Sequence, residues 1–290
     1  MTSETSTPSL IGLAAALAAR ADTSITIKPQ IFNEFSQKDR VALVTGANRG
    51  LGLESALVLL EAGARAVYCV DLPKTPGEEW TAVKAYVDKM GTGGRIEYLN
   101  ADVTDQQTMW DIGKTIGDKE GRLDVCVAAA GIASSGDSCL DYTADDFRKP
   151  FRVNTDGVVF TAQSAGRQMV RFGTGGSIIL IASIAGSVAF DGTLTFAYSA
   201  SKGAVLQVGR SMACELAPKG IRVNTVSPGF TTTALTAAPT EVHDLWSSQA
   251  PLKRLARSSE MRGVVAWLAS DASTFCTGSD IKVDGGYTSW

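Results

Sequence analysis

The chain has 290 residues, 44% of them apolar and 20% charged, and carries a net charge of −3 from 27 basic and 30 acidic side chains. This mix is globular: it excludes a disordered, collagen-like or wholly coiled-coil chain. It also lacks the basic field that would draw a protein onto nucleic acid or an anionic membrane, and neither is expected as a partner. A folded chain of this mass exposes about 12,000 Å² against about 44,000 Å² when extended, which is enough burial for one large core. The five cysteines (Cys69, Cys126, Cys139, Cys214, Cys276) are odd in number and form no C-x-x-C pair, which argues against a disulfide framework or a zinc site. His243 is the sole histidine, so no His-rich metal site is expected.

Residues 1–37 differ in texture from the rest. Met1–Pro8 is rich in Ser and Thr, and the Ala/Leu stretch Leu10–Arg20 is too short to span a bilayer. The basic segment that a secretory signal needs is missing before Leu10. We expect a partly ordered arm, dispensable for catalysis, on a cytoplasmic protein. From Arg40 onward the pattern is strand–helix alternation. The candidate strands are VALVT (41–45), AVYCV (66–70), RIEYL (95–99), LDVCVA (123–128), SIILIA (177–182), IRVNTV (221–226) and IKV (281–283). Several are apolar on both alternating faces, as strands covered on two sides must be. Helices are expected near 51–62, 78–90, 104–118, 143–171, 198–217 and 260–270. This repetition predicts a single α/β domain over 38–290. It should be a doubly wound Rossmann fold, with a seven-stranded, mostly parallel sheet and helices on both faces.

The first strand runs directly into Gly46-Ala47-Asn48-Arg49-Gly50-Leu51-Gly52, followed by an apolar helix. Gly46 suits a tight turn off the strand, Gly50 lets backbone approach a pyrophosphate, and Gly52 lets the helix pack closely on the sheet. The helix N-terminus then offers free N–H groups and partial positive charge to phosphates. An ordinary strand–turn–helix corner is the bland alternative, but the flanking strand and helix are what a dinucleotide motif demands. The rival phosphate loop, around Gly113-Lys114-Thr115, has Thr108 where glycine is required, and a serine-hydrolase G-x-S-x-G elbow is absent.

Asp71 ends the second strand, where its carboxylate can accept from the adenosine ribose hydroxyls and repel a 2′-phosphate. It also reads as a turn aspartate before Pro73. Arg49 points the other way, since a guanidinium there pairs with that phosphate. Asp71 is favoured, so the expected cofactor is NAD, with NADP possible. Farther on, Tyr198 and Lys202 sit at i,i+4 on one helix face, where an ammonium lowers a phenol pKa toward usable acid/base chemistry. Ser183 follows directly on a strand, at the carboxyl edge where open α/β sheets bind ligands. Taken alone, the Tyr/Lys pair would be a solvated helix face.

Together these residues resemble the short-chain dehydrogenase/reductase family. Its T-G-x-x-x-G-x-G motif corresponds to Thr45–Gly52 and its Y-x-x-x-K pair to Tyr198 and Lys202, with Ser183 upstream. The family's helix asparagine matches Asn154. Asp102-Val103 matches the pair beside the adenine, and Pro228-Gly229 with Thr231 to Thr233 matches the segment closing on the nicotinamide carboxamide. The resemblance covers about residues 38–290 and is similar in detail to fungal-type polyol and ketose dehydrogenases. One departure is Ala129 in Ala128-Ala129-Ala130-Gly131, where the family carries an asparagine that braces the sheet; its bonds must be found elsewhere or lost. Ala129 and Gly131 still fall on the cofactor-binding segment.

The resemblance implies a mechanism. Tyr198 exchanges a proton with the substrate oxygen, Ser183 bonds the same oxygen, and Lys202 holds the nicotinamide ribose and lowers the Tyr198 pKa. Asn154 holds a water linking Lys202 to solvent. The substrate would be a small alcohol or ketone. Alternatives are an NADPH-dependent reductase of 3-oxoacyl or xenobiotic carbonyls, or a dinucleotide-binding sensor without activity. Phe230–Arg257 should form the lid, with His243 and Trp246 packing there rather than reacting. A homotetramer or homodimer is expected through helices 143–171 and 198–217, with Trp290 buried against a neighbour.

Overall fold

The computed structural model describes residues 10–134, 136–191 and 193–290; the first nine residues of the expected arm lie outside them. The arm holds helix α1 (Gly12–Ala21), without a buried residue, and a single turn α2 (Ile31–Glu34). The globular part begins at Gln37, which is fully buried and whose amide donates to the Ala62 carbonyl oxygen.

The apolar run VALVT forms β1 (Val41–Thr45), every residue buried. It is followed by α3 (Gly50–Glu61), β2 (Ala66–Asp71), α4 (Glu78–Met90), β3 (Arg95–Asn100), α5 (Gln106–Glu120) and β4 (Val125–Ala128). The second half comprises α6 (Ala144–Phe151), α7 (Gly157–Phe172), β5 (Gly176–Ile181), α8 (Phe196–Leu216) and β6 (Ile221–Pro228). It ends with the short β7 (Thr231–Thr232), α9 (Thr240–Gln249), β8 (Ala256–Arg257), α10 (Arg262–Ala269) and β9 (Asp280–Val283). Seven strands pair in the order β3-β2-β1-β4-β5-β6-β9, every pairing parallel, in agreement with the expected seven-stranded sheet. Val41 and Leu43 face one core under α5, α7 and α8, whereas Ala42 and Val44 face the other under α3, α4 and α10. That alternation explains why the strands read as apolar on both sides.

Two expectations need correcting. The helix read as continuous over 143–171 is broken: α6 contains Pro150, and a π-helical turn over Arg152–Asp156 separates it from α7. The cause is Asn154, fully buried in that turn, whose side chain bonds neighbours outside its own helix (below). The lid segment also carries α9 and a two-stranded ladder of β7 with β8, neither of which was read from the sequence.

Candidate active site

The chain reverses direction in the sheet between β1 and β4, and the crevice above their carboxyl ends is where open α/β folds take ligands. Glycines shape it. At Gly46 (φ +65°) a Cβ would lie 2.7 Å from Ala130 Cα, and at Gly52 one would lie 2.2 Å from the Gly46 oxygen. No side chain caps the start of α3, so its first-turn amides face the crevice; the Gly50 amide reaches the Glu79 carboxylate only at 3.5 Å. A glycine cradle with an uncapped helix N-terminus fits a pyrophosphate.

The crevice is a cavity of about 820 Å³, within the range that holds a dinucleotide and a small substrate. Its wall brings together Gly46, Arg49, Gly50, Leu51 and Gly52 with Asp71 from β2 and Asp102 and Val103 after β3. Ala129 and Gly131 after β4 join Ser183, Tyr198 and Lys202, and Pro228, Gly229, Thr231 and Thr233 close the far end. Two expected residues are not on that wall. Asn48 turns its side-chain oxygen to accept from the Gly77 amide at 2.7 Å, bracing the turn. Asn154 lies behind the wall.

Asp71 is a turn aspartate that also lies on the cavity wall. Its oxygens accept from the Asn48 amide at 2.9 Å and the Leu72 amide at 2.8 Å, as a turn aspartate does, while the residue lines the cavity. Arg49 is exposed, and its side chain has no hydrogen bond or ion pair among the described residues.

The reacting end is built on three elements. Ser183, just beyond β5, caps a short helical turn by accepting from the Ala185 amide at 3.1 Å, and lines the cavity with Tyr198, near the start of α8. Lys202, one turn on, is 4% exposed and donates to the Ile181 carbonyl oxygen at 2.8 Å. Asn154 accepts from the Ile132 amide at 2.8 Å and donates to the Ile132 oxygen and to Ser201 Oγ, each at 3.0 Å. Both its N–H bonds are thus structural, and they tie the π-turn to the loop after β4 and to α8.

The expected effect of Lys202 on Tyr198 is corrected by burial. The phenol is held above its ordinary value by loss of water, and the Ser183 hydroxyl only pulls it part of the way back. Burial also pushes the Lys202 ammonium down to about 8. Desolvation outweighs the charge effect that spacing alone suggested.

Thr45, fully buried at the end of β1 and paired in register with Ala128, keeps a hydroxyl without a hydrogen-bond partner among the described residues. The wall also contains Asp145, Arg148 and Lys149 from α6 and Arg152 from the π-turn, none of them among the expected site residues. Their i, i+3, i+4, i+7 spacing was visible, but which neighbour that face meets was not.

Across the lid, Phe230 stacks on Trp246 with centroids 4.4 Å apart, and Phe190 and Tyr287 close around Phe230 at 4.8 and 5.6 Å. The Trp246 indole donates to Thr193 Oγ1 at 3.1 Å, and His243 Nε2 lies 3.0 Å from the Thr236 oxygen. Both residues pack the lid, as expected.

A glycine cradle at the sheet's switch point, opening onto Ser183, Tyr198 and Lys202, suits a dinucleotide-dependent oxidoreductase. Comparison with known proteins agrees. A family model described as enoyl-(acyl carrier protein) reductase matches residues 46–288. Cis-4-hydroxycyclohexanecarboxylate dehydrogenase from Sinomonas cyclohexanicum is 36% identical, over 86% of this chain and 97% of its own. Sorbose reductase from Schizosaccharomyces pombe is also 36% identical, over 88% and 98%. A short-chain type dehydrogenase/reductase structure from Mycobacterium marinum superposes with a TM-score of 0.83 at 37% identity, covering 89% of this chain and 99% of its own. The chain belongs to the short-chain dehydrogenase/reductase family. It is an NAD(P)-dependent oxidoreductase of the alcohol/ketone class.

Proposed function

We propose that the protein is an NAD-preferring dehydrogenase that interconverts a secondary alcohol, a small polyol, with its ketone. The convergence of Ser183, Tyr198 and Lys202 on the cavity that the glycine cradle opens carries this reading. A bound nicotinamide would supply the acceptor or donor of the hydride exchanged with the carbinol carbon. Tyr198 takes the proton from the alcohol oxygen during oxidation and restores it during reduction. Ser183 donates to the same oxygen and stabilises the charge developing there. Lys202 and Asp71 would hold the two riboses, and the α3 amides the pyrophosphate. Sorbose reductase among the relatives supports a polyol or ketose substrate. Absorbance at 340 nm with NAD(H) and NADP(H), over polyols, ketoses and acyl ketones, tests the reading; inactivity on every polyol and ketose overturns it.

Arg49, exposed and unpaired, favours a second reading: an NADPH-dependent reductase of 3-oxoacyl or xenobiotic carbonyls. The same assay separates the two.

The protein acts as a homotetramer or homodimer in this reading. Between α5, α7 and α8 lies a surface groove floored by Val159, Ala162, Val208 and Met212, a face suited to a second copy. Trp290, 79% exposed on the isolated chain, agrees with burial between copies. Sedimentation at micromolar concentration tests it, and a monomer refutes it. The five free cysteines, Cys139 and Cys214 exposed, fit a reducing cytoplasm. Residues 10–36 hydrogen-bond no residue of the cavity wall among the described residues, so the arm is dispensable for turnover. A truncation retaining Gln37 should keep wild-type rates.

A further inference from the structure

The cavity wall contributed by α6 carries positive charge that the cofactor cradle does not use. Arg148, Lys149 and Arg152 share the cavity-facing side of α6 and its π-turn with a single acid, Asp145. That acid lies 3.9 Å from Arg148, with the two side chains 99% and 70% exposed, so the pair neutralises little. The side chains of Lys149 and Arg152 make no ion pair or hydrogen bond among the described residues. The stripe is therefore a charged lip without an internal partner.

Its anchoring places it beside the reacting half of the cleft. Phe147 of α6 rests on Phe196 at 5.5 Å and on Phe151 at 5.1 Å, and Phe196 lies on α8 two residues before Tyr198. At its other end the π-turn is held by Asn154 to Ile132 and Ser201, again next to Lys202. With its aromatic side turned to α8, α6 leaves its basic side to the cavity.

We propose that Arg148, Lys149 and Arg152 form an anion subsite for the substrate, so that the preferred alcohol or ketone carries a carboxylate. The proposal rests on the reading of the protein as an alcohol dehydrogenase and specifies the substrate of that site. A guanidinium pair at this lip binds a carboxylate in the planar, bidentate manner for which arginine is suited. Held at that end, a short hydroxy acid is oriented for its carbinol to meet Tyr198.

The test compares gluconate with sorbitol, which differ only in a carboxylate against a hydroxymethyl group, in the wild type and in an R148Q/K149Q/R152Q variant. The expected result is a wild-type kcat/KM ratio favouring gluconate that falls roughly tenfold or more in the variant, the scale of one charge-assisted contact. An unchanged ratio overturns the proposal, and sorbitol oxidation in that case leaves the dehydrogenase reading standing. A variant whose ratio holds while only its NADP/NAD preference moves also overturns it, assigning the stripe to the cofactor phosphate. Calorimetric binding of gluconate to the NADH complex decides the matter without turnover. Binding by the wild type that weakens about tenfold in the variant supports the subsite, and no binding, or equal binding, refutes it. Absence of turnover on either compound with both dinucleotides counts against the dehydrogenase reading, and the binding arm still judges the subsite.

Discussion

The ammonium of Lys202 lies 5.8 Å from the centre of the Tyr198 ring and is tied to the Ile181 carbonyl oxygen at 2.8 Å. In the proposed mechanism Tyr198 transfers the proton; its side chain is half-buried, that of Lys202 is buried, and loss of water disfavours ionisation of both. Alcohol oxidation needs the phenolate, so its kcat/KM should climb with pH through the neutral and mildly alkaline range, while ketone reduction, which needs the phenol, should not. Tyr198→Phe should cost roughly 10²–10⁴-fold in turnover and leave dinucleotide affinity close to wild type. Equal rates in the two proteins would remove Tyr198 from the mechanism.

Lys202 also makes folding stability depend on pH. Its folded-state value of about 8 lies below the ordinary 10.5, so between those values the unfolded chain binds more protons and stability rises with pH. Below about pH 8 the full cost of burying the charge persists, about 3 kcal/mol at ~1.36 kcal/mol per unit over that interval. Thermal unfolding of the cofactor-free enzyme should show the Tm of wild type gaining on that of Lys202→Met as pH rises from 8 to 10. A constant difference would mean that the lysine is not desolvated.

Thr45, paired with Ala128 beside Ala129, holds a buried hydroxyl with no partner among the described residues. An unsatisfied buried polar group costs about 1–3 kcal/mol, and an isosteric apolar replacement removes that cost. Thr45→Val should therefore raise the midpoint of urea unfolding, with the slope unchanged. A lower midpoint would show that the hydroxyl is satisfied in solution.

In the proposed function Asp71 sets cofactor choice as well as bracing the Gly-rich turn. The residue lines the cleft, and its carboxylate accepts from the Asn48 and Leu72 amides. Asp71→Ser removes a charge that repels a 2′-phosphate and leaves Arg49 to pair with it, so kcat/KM should rise with NADP(H) and fall with NAD(H). Losing the amide contacts should lower stability as well, by about 1–3 kcal/mol. A wild type that already uses NADP(H) better would rank Arg49 above Asp71.

Much of this molecule was legible in local spacing. Each β-branched run became a strand of the sheet, and the helix expected over 78–90 has those bounds. The Gly-rich turn and the Tyr198/Lys202 pair met in one cavity, because i,i+4 spacing and strand-to-turn adjacency are settled within a few residues. The π-turn at Asn154 could not be read in this way, since its cause is a set of bonds to Ile132 and Ser201, 22 and 47 residues away. The cavity-facing charges of α6 and the direction in which Tyr198 and Lys202 titrate were likewise beyond it. Periodicity says which residues share a face. What that face meets, and how much water is left there, depends on distant segments arriving together, and only the tertiary structure decides it.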